Sequence, residues 1–118
     1  MKSKYLPVVL SLALISFRSN PDNERIAYPD GYRDWTHVKT YIVGPKNPAF
    51  KVIGGFNHVY GNEKAMKGYQ SGDFPDGSVI VSDVIATVED SITIREANRD
   101  HIDVMMKENG TWIFETFK

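Results

Sequence analysis

Alternating apolar and polar residues over several short stretches predict a protein built mainly of β-strands. Residues 37–43 alternate in the way that is typical of a half-exposed strand. Residues 78–88 form the longest run of β-branched residues, and their nearly continuous hydrophobicity predicts a central strand that is covered on both faces. Residues 50–60 resume an extended pattern, which Gly54 and Gly55 interrupt.

The C-terminal part of the chain predicts further strands. Residues 91–97 and 102–107 are rich in β-branched and apolar residues. Asn109-Gly110 separates them from an aromatic strand over 111–117. This pair predicts a two-residue hairpin, because both of its residues tolerate positive φ angles.

Two short helices are predicted between the strands. Asp30 can accept hydrogen bonds from the first turn of a helix over 31–36. Asn62 is a good N-cap for a second helix that Gly72 closes, with three residues directed inward: Ala65, Met66 and Tyr69. Phe-Pro-Asp-Gly over 74–77 predicts a tight turn. The chain is therefore predicted to form one α+β domain, mainly β, with an antiparallel sheet of five or six strands and two short helices.

The N-terminal residues differ from the rest of the chain. Two lysines precede a nearly pure apolar run over 6–17, which is shorter than the roughly 20 residues that cross a bilayer as a helix. This pattern is typical of a secretory signal. We therefore predict a signal peptide over 1–19, a polar linker over 20–27 and a domain over 28–118. The alternatives are an uncleaved anchor and a buried N-terminal helix.

The charge balance and the cysteine count argue against several function classes. The chain has 14 Lys and Arg against 15 Asp and Glu, a net charge of −1. Nucleic-acid binding is not expected, because it relies on a basic excess. With no cysteine, these residues form neither disulfides nor thiolate metal sites. A G-x-S-x-G motif and a phosphate-binding glycine loop are also missing from the sequence, so the common hydrolase and nucleotide-binding classes are not supported.

The three histidines do not predict a metal site. His37, His58 and His101 lack the spacing of two or four residues that would bring two imidazoles to one metal. Each is expected to be a surface or hydrogen-bonded histidine. His58 is also a pocket candidate, because it lies in a predicted strand close to two glycines.

Asp83 interrupts the apolar run of the central strand. A carboxylate in a covered strand must be paired, hydrogen-bonded or raised in pKa, which makes Asp83 a candidate functional group. The alternative is structural. In that case Asp83 faces the polar side of a half-exposed sheet, or it pairs with Arg95 or Arg99.

The sequence stops at Lys118, directly after the aromatic strand. An aromatic edge strand in this position would be poorly covered. We expect either a missing C-terminal segment or a partner in a dimer to cover it.

Several motifs in one order resemble the cytochrome P-460 family of exported proteins. The resemblance covers residues 28–118 and rests on the following stretches: YPDGYRDWTHVK at 28–39, GG at 54–55 with HVYGN at 58–62, GY at 68–69 with GDFPDGSV at 72–79, Arg99 with IDVM at 102–105, and WIFE at 112–115.

The resemblance implies a periplasmic, mainly β, usually dimeric protein that carries haem c. It implies a function in oxidising hydroxylamine or binding nitric oxide, together with a redox partner. Candidate residues of the haem pocket are Arg33, His58, Tyr60 and Phe74, and Asp83 is the candidate proton acceptor.

The sequence departs from the family at its C-terminal end. The C-x-x-C-H motif, which attaches the haem in the family, is not among these 118 residues. One hypothesis is a truncated or partial haem domain, inactive as given, whose complete form is an oxidoreductase. The alternative hypothesis is an exported binding or structural domain that keeps the fold without haem.

Overall fold

An antiparallel sheet of five strands in chain order forms the body of the protein. The structure, a computed structural model, describes residues 26–118. The strands are β1 (Thr36–Val43), β2 (Gly55–Gly61), β3 (Val79–Glu89), β4 (Ile94–Glu108) and β5 (Thr111–Phe117). The α+β, mainly β prediction is confirmed, and β3 is the central strand, as expected.

Three helical segments accompany the strands, one before β1 and two in the connections that flank β2. A 3-10 helix spans Tyr32–Asp34, α1 spans Phe50–Ile53, and α2 spans Glu63–Ser71. No helix among residues 26–118 is both long and apolar enough to span a membrane. The predicted signal peptide over 1–19 lies outside the described residues.

The two faces of the sheet have different cover. On the core face, buried side chains of β3, β4 and β5 pack against Ile26 and Tyr32, two residues that precede β1 in the chain. The buried strand residues are Val81, Ile102, Val104 and Ile113. Ile26 falls in the segment predicted as a linker, yet it is only 2% exposed. Part of that segment therefore belongs to the core.

The opposite face, called the helix face here, carries α2. A Cβ atom on Gly61 would lie 3.2 Å from both Ala65 Cβ and Met66 Sδ, which shows how closely the helix sits on β2. The Asn62 side chain accepts a hydrogen bond from the Ala65 N–H, and Gly72 closes the helix at φ 86°. Both predicted caps of α2 are confirmed, whereas the predicted Asp30 cap is wrong, because the 3-10 helix begins after Gly31 without a side-chain cap.

Two predicted turns are also confirmed. The Ser78 N–H donates to the Pro75 carbonyl within the predicted 74–77 turn region. Asn109 and Gly110 join β4 to β5 with φ angles of 52° and 75°, as a two-residue hairpin requires.

Three details of the prediction were wrong. Residues 50–53 form α1 rather than a strand, because the preceding turn at Asn47 starts a helix despite the β-branched residues that follow. The predicted strands over 91–97 and 102–107 are one continuous strand, β4. Tyr69 is 43% exposed, whereas Gly68 is the buried residue of that turn of α2.

Part of the β3–β4 hairpin extends beyond the rest of the sheet. The pairing between β3 and β4 is interrupted twice, between Val84 and Ile85 and between Ile85 and Thr87. Residues 86–98, called the arm here, are exposed apart from the half-buried Thr87. Bulges of this kind bend a strand and increase its twist.

Candidate functional site

Asp83 lies on the core face of β3 and is fully buried. The Tyr32 hydroxyl donates to Oδ2 at 2.8 Å. Arg33 donates to the same oxygen from Nε at 3.0 Å and from Nη2 at 2.8 Å. Arg99 Nε lies 3.2 Å from Oδ1, an ion-pair contact without hydrogen-bond geometry, so Oδ1 is buried without a hydrogen bond.

Two arginines therefore compensate the charge of Asp83. The ion pair with Arg99 was one of the structural alternatives, and it is present. Arg95 instead pairs with Asp90 inside the arm. The pairing with Arg33 was not predicted, because the two residues are 50 positions apart in the sequence.

The contacts around Asp83 alter the titration of its neighbours. Burial, followed by the hydrogen bond to Asp83, raises the pKa of Tyr32 to about 12. The hydrogen bond to Asp83 also raises the pKa of Arg33, so this guanidinium remains charged. The cluster is a stable ion pair with a neutral phenol as its third member.

His58 lies on β2 directly opposite Asp83 in the sheet. Its Nδ1 is 2.8 Å from the Thr40 hydroxyl, and its Nε2 is 2.5 Å from Oε2 of Glu96. His37 Nε2 is 2.7 Å from the same Thr40 hydroxyl. Four polar side chains on β1, β2 and β4 are thus connected in a row.

A cleft of about 220 Å³ lies beside this row, and we call it the polar cleft. Its lining residues are Arg33, His58, Tyr60, Asp83, Ile85 and Glu96. The structure therefore brings together four of the five predicted site residues. Phe74 lies apart from them, with its ring centroid 5.1 Å from that of Tyr69 and 5.4 Å from that of Trp112.

A second concave surface lies on the helix face, across β3, β4 and β5. We call it the apolar groove; it has a volume of about 390 Å³. Its apolar side chains are Ile80, Met105 and Phe114, and Phe114 is 70% exposed. This surface was not predicted from the sequence, although the alternation of Trp112 and Phe114 with Ile113 separates them onto two faces of β5.

Asp103 contributes the carboxylate of the apolar groove. The Thr116 hydroxyl donates to Oδ1 at 2.7 Å, and His101 Nε2 lies 3.2 Å from Oδ2. His101 is 4% exposed, and its Nδ1 contacts Asp100 at 2.6 Å. Both ring nitrogens of this buried histidine are therefore engaged by carboxylates.

The two surfaces differ in how well they fit a haem, the group that the resemblance implies. Ligand pockets usually measure about 300–1,000 Å³ and are mostly apolar. The polar cleft is smaller than this range, and ionic side chains line it, so it does not fit a haem. The apolar groove lies within the range, and the flat side chain of Phe114 suits a planar macrocycle.

Metal ligation offers no further site within the described part of the chain. Residues 26–118 contain no cluster of three His, Asp or Glu side chains arranged to hold a metal ion. Both ring nitrogens of His58 and of His101 already have partners.

Comparison with known proteins identifies the family of the chain. The family model of cytochrome P460 matches residues 29–118, which include all five strands. Among curated proteins, no relative matches the chain.

Proposed function

Because the chain belongs to the cytochrome P460 family, a family of haem proteins, we propose that its complete form binds haem and oxidises hydroxylamine or binds nitric oxide. The match over residues 29–118 carries this proposal. Both activities place a small nitrogen ligand at haem iron, and a redox partner would accept the electrons from hydroxylamine.

We place the haem at the apolar groove. Ile80, Met105 and Phe114 would contact the macrocycle and exclude water from it. Covering them removes apolar surface from water, which is favourable by about 25 cal/mol per Å². When bound, haem supplies an iron that binds the nitrogen ligand and accepts electrons.

The groove also offers a proton acceptor. The Asp103 carboxylate lies at the groove between Thr116 and His101, and its Oδ2 can accept a proton released by a ligand. Asp83 stays a candidate from the sequence. Its position on the opposite face, between two arginines, makes Asp103 the better placed carboxylate for a haem at the groove.

The remaining parts of the proposal concern attachment, assembly and location. Thioether attachment needs cysteines, and these 118 residues contain none, so a covalent haem c requires additional sequence. β5 lies at the edge of the sheet, and its open backbone edge supports a homodimer that leaves the apolar groove free. The apolar run over 6–17 supports export to the periplasm.

One observation favours a second candidate function. The ring nitrogens of His58 and His101 are all engaged, so neither histidine offers a free axial ligand. A haem-free exported binding domain that uses the apolar groove for another flat apolar ligand fits this observation.

Haemin titration of the 118-residue chain tests the proposal. We expect a shifted Soret band and quenching of the Trp112 fluorescence. Phe114→Lys should abolish both signals, whereas Ile42→Lys, which changes an exposed apolar residue on the other face, should leave them unchanged.

To test the activity, the coding DNA is read past Lys118, and any longer product is expressed with a haem-attachment system. Hydroxylamine-dependent reduction of an electron acceptor, or a spectral shift with nitric oxide, is expected. If neither the chain nor the longer product takes up haem, the haem proposal is rejected in favour of the haem-free domain.

A further inference from the structure

The arm is a two-stranded extension of the sheet, and neither β2 nor β5 pairs with it. Residues 86–98 belong to only two strands, and their side chains are exposed apart from the half-buried Thr87. An isolated two-stranded hairpin is at best marginally stable in water. The position of the arm must therefore depend on side-chain contacts with the rest of the sheet.

Two contacts connect β4 near the arm to the core face. At the base, Arg99 pairs with Asp83. Further along, Glu96 of the arm contacts His58 of β2, which is two strands away in the sheet order. The second contact reaches across β3, so it determines where the arm lies relative to the core face.

The contact between Glu96 and His58 requires the arm to curve. His58 is opposite Asp83, and Glu96 is opposite Thr87. Thr87 is four residues beyond Asp83, and four residues of a regular strand span about 13 Å. In a flat sheet, Glu96 would therefore lie too far from His58 for a contact. The two bulges at the base bend the arm toward the core face, and Glu96 thereby becomes part of the lining of the polar cleft.

Thr40 fixes the orientation of the His58 ring. With both histidines neutral, the His58 Nε2–H donates to Glu96, and the Thr40 hydroxyl donates to His58 Nδ1. The same hydroxyl accepts from the His37 Nε2–H. Each of the three contacts in this row then joins one donor to one acceptor. The His58 ring also stacks on Phe56, with 10° between the planes.

We propose that the arm is a strap held over the polar cleft by the contact between Glu96 and His58, with Thr40 as the residue that orients His58. Loss of this contact releases the arm and opens the cleft beside Asp83. The bulges act as the hinge, and the base remains held by Arg99 and Asp83. This proposal does not depend on haem, because it concerns the face opposite the apolar groove.

Spin labels can measure the position of the arm directly, since the chain has no cysteine of its own. We would label Ile92→Cys, at the 91% exposed end of the arm, and Lys67→Cys, on α2. The parent should give one narrow distance distribution. Glu96→Ala should broaden it at least twofold. Glu89→Ala, an exposed acid in the same arm, should not change it.

The role of Thr40 is tested in the same way. Thr40→Val removes the hydroxyl and should broaden the distribution, whereas Thr40→Ser keeps the hydroxyl and should preserve it. A distribution that broadens with Glu96→Ala but not with Thr40→Val would remove Thr40 from the proposal.

Amide hydrogen exchange provides a second measurement. Exchange of the arm amides should accelerate on the order of tenfold in Glu96→Ala, because a hydrogen bond to a charged group is lost. Amides of Val81 and Val104 should stay protected, which distinguishes arm release from global unfolding. Unchanged distances and unchanged arm exchange in Glu96→Ala would overturn the proposal.

Discussion

Each face of the sheet carries one unusual side chain, and the two side chains differ in whether other residues of the chain surround them. On the core face, the buried charge of Asp83 is matched by Arg33, Arg99 and the Tyr32 hydroxyl, all from this chain. On the helix face, Phe114 is 70% exposed beside the apolar groove, and nothing in residues 26–118 covers it. The buried carboxylate has its partners within the chain, whereas residues 26–118 leave the aromatic ring open to solvent.

The difference follows from the two-residue period of a strand. Asp83 and Ser82 are neighbours in β3, but one belongs to the ion-pair cluster and the other lines the apolar groove. A buried carboxylate costs several kcal/mol unless it is paired, so the cluster around Asp83 is needed for stability. An exposed aromatic ring costs the fold little, and it can be retained for binding.

The largest expected effect comes from breaking the core-face cluster. Asp83→Ala leaves Arg33 and Arg99 without their shared carboxylate and should lower the free energy of unfolding by about 3 kcal/mol. Urea denaturation measures this change. Arg95→Ala is the matched control, because it removes an exposed ion pair, which water and salt screen. Similar losses in the two variants would show that the Asp83 cluster is not specially stabilising.

Gly68→Ala should destabilise the protein less than Asp83→Ala does, and it acts at the edge of the helix face. A Cβ atom there would clash with the Phe74 ring, which packs edge-on against Trp112, so the ring must move. Overpacking of this kind costs about 1–3 kcal/mol. Unfolding by urea gives the cost, and Trp112 fluorescence reports the displacement. Met66→Ala is a contrasting variant, because it removes side-chain atoms from α2 instead of adding them. A Gly68→Ala protein with unchanged stability and fluorescence would contradict the close packing of Phe74.

Local signals in the sequence were sufficient to predict much of the fold. Asn62 and Gly72 bound α2 because caps act over a few residues, and Asn109-Gly110 fixes the last hairpin for the same reason. The extent of β4 could not be predicted. Its bulges interrupt the alternation near Asp100, and only the pairing with β3 makes the strand continuous.

The candidate site was only partly predictable, because its key contacts join distant parts of the chain. Asp83 could be selected from its position within an apolar strand, and Arg99 could be suggested as its partner. The contacts of Asp83 with Arg33 and of His58 with Glu96 link residues 50 and 38 positions apart, and no local pattern indicates them. The apolar groove needed the register of three strands before its members could be grouped.

A tyrosine titration sharpens the description of the core face. The pKa of Tyr32 is raised from 10.0 to about 12, so its phenol should ionise after the exposed tyrosines. Because the folded-state pKa lies above the unfolded value, this stabilisation is fully present below pH 10 and is lost as the pH rises through about 12. Tyrosinate absorbance should show a late component that Tyr32→Phe removes and Tyr41→Phe keeps. A single transition near pH 10 would contradict the cluster.

The smallest expected effect on stability is that of Phe114→Ala. Its comparison with Ile113→Ala distinguishes the two faces directly, because the two residues are neighbours in β5. Ile113 is 8% exposed in the core, whereas Phe114 is 70% exposed on the helix face. Ile113→Ala should cost about 3 kcal/mol, since it leaves a cavity. Phe114→Ala should change the free energy of unfolding by less than about 0.5 kcal/mol, as exposed positions usually do.

Phe114 is expected to serve ligand binding and not folding. A buried phenylalanine replaced by alanine costs about 3–5 kcal/mol, so a loss of that size in Phe114→Ala would mean that the chain, or a dimer of it, already covers the ring. Urea denaturation at two protein concentrations separates those cases, because only dimer stability depends on concentration. If Phe114 is exposed in order to bind a ligand, Phe114→Ala should lose little stability and should bind haemin more weakly.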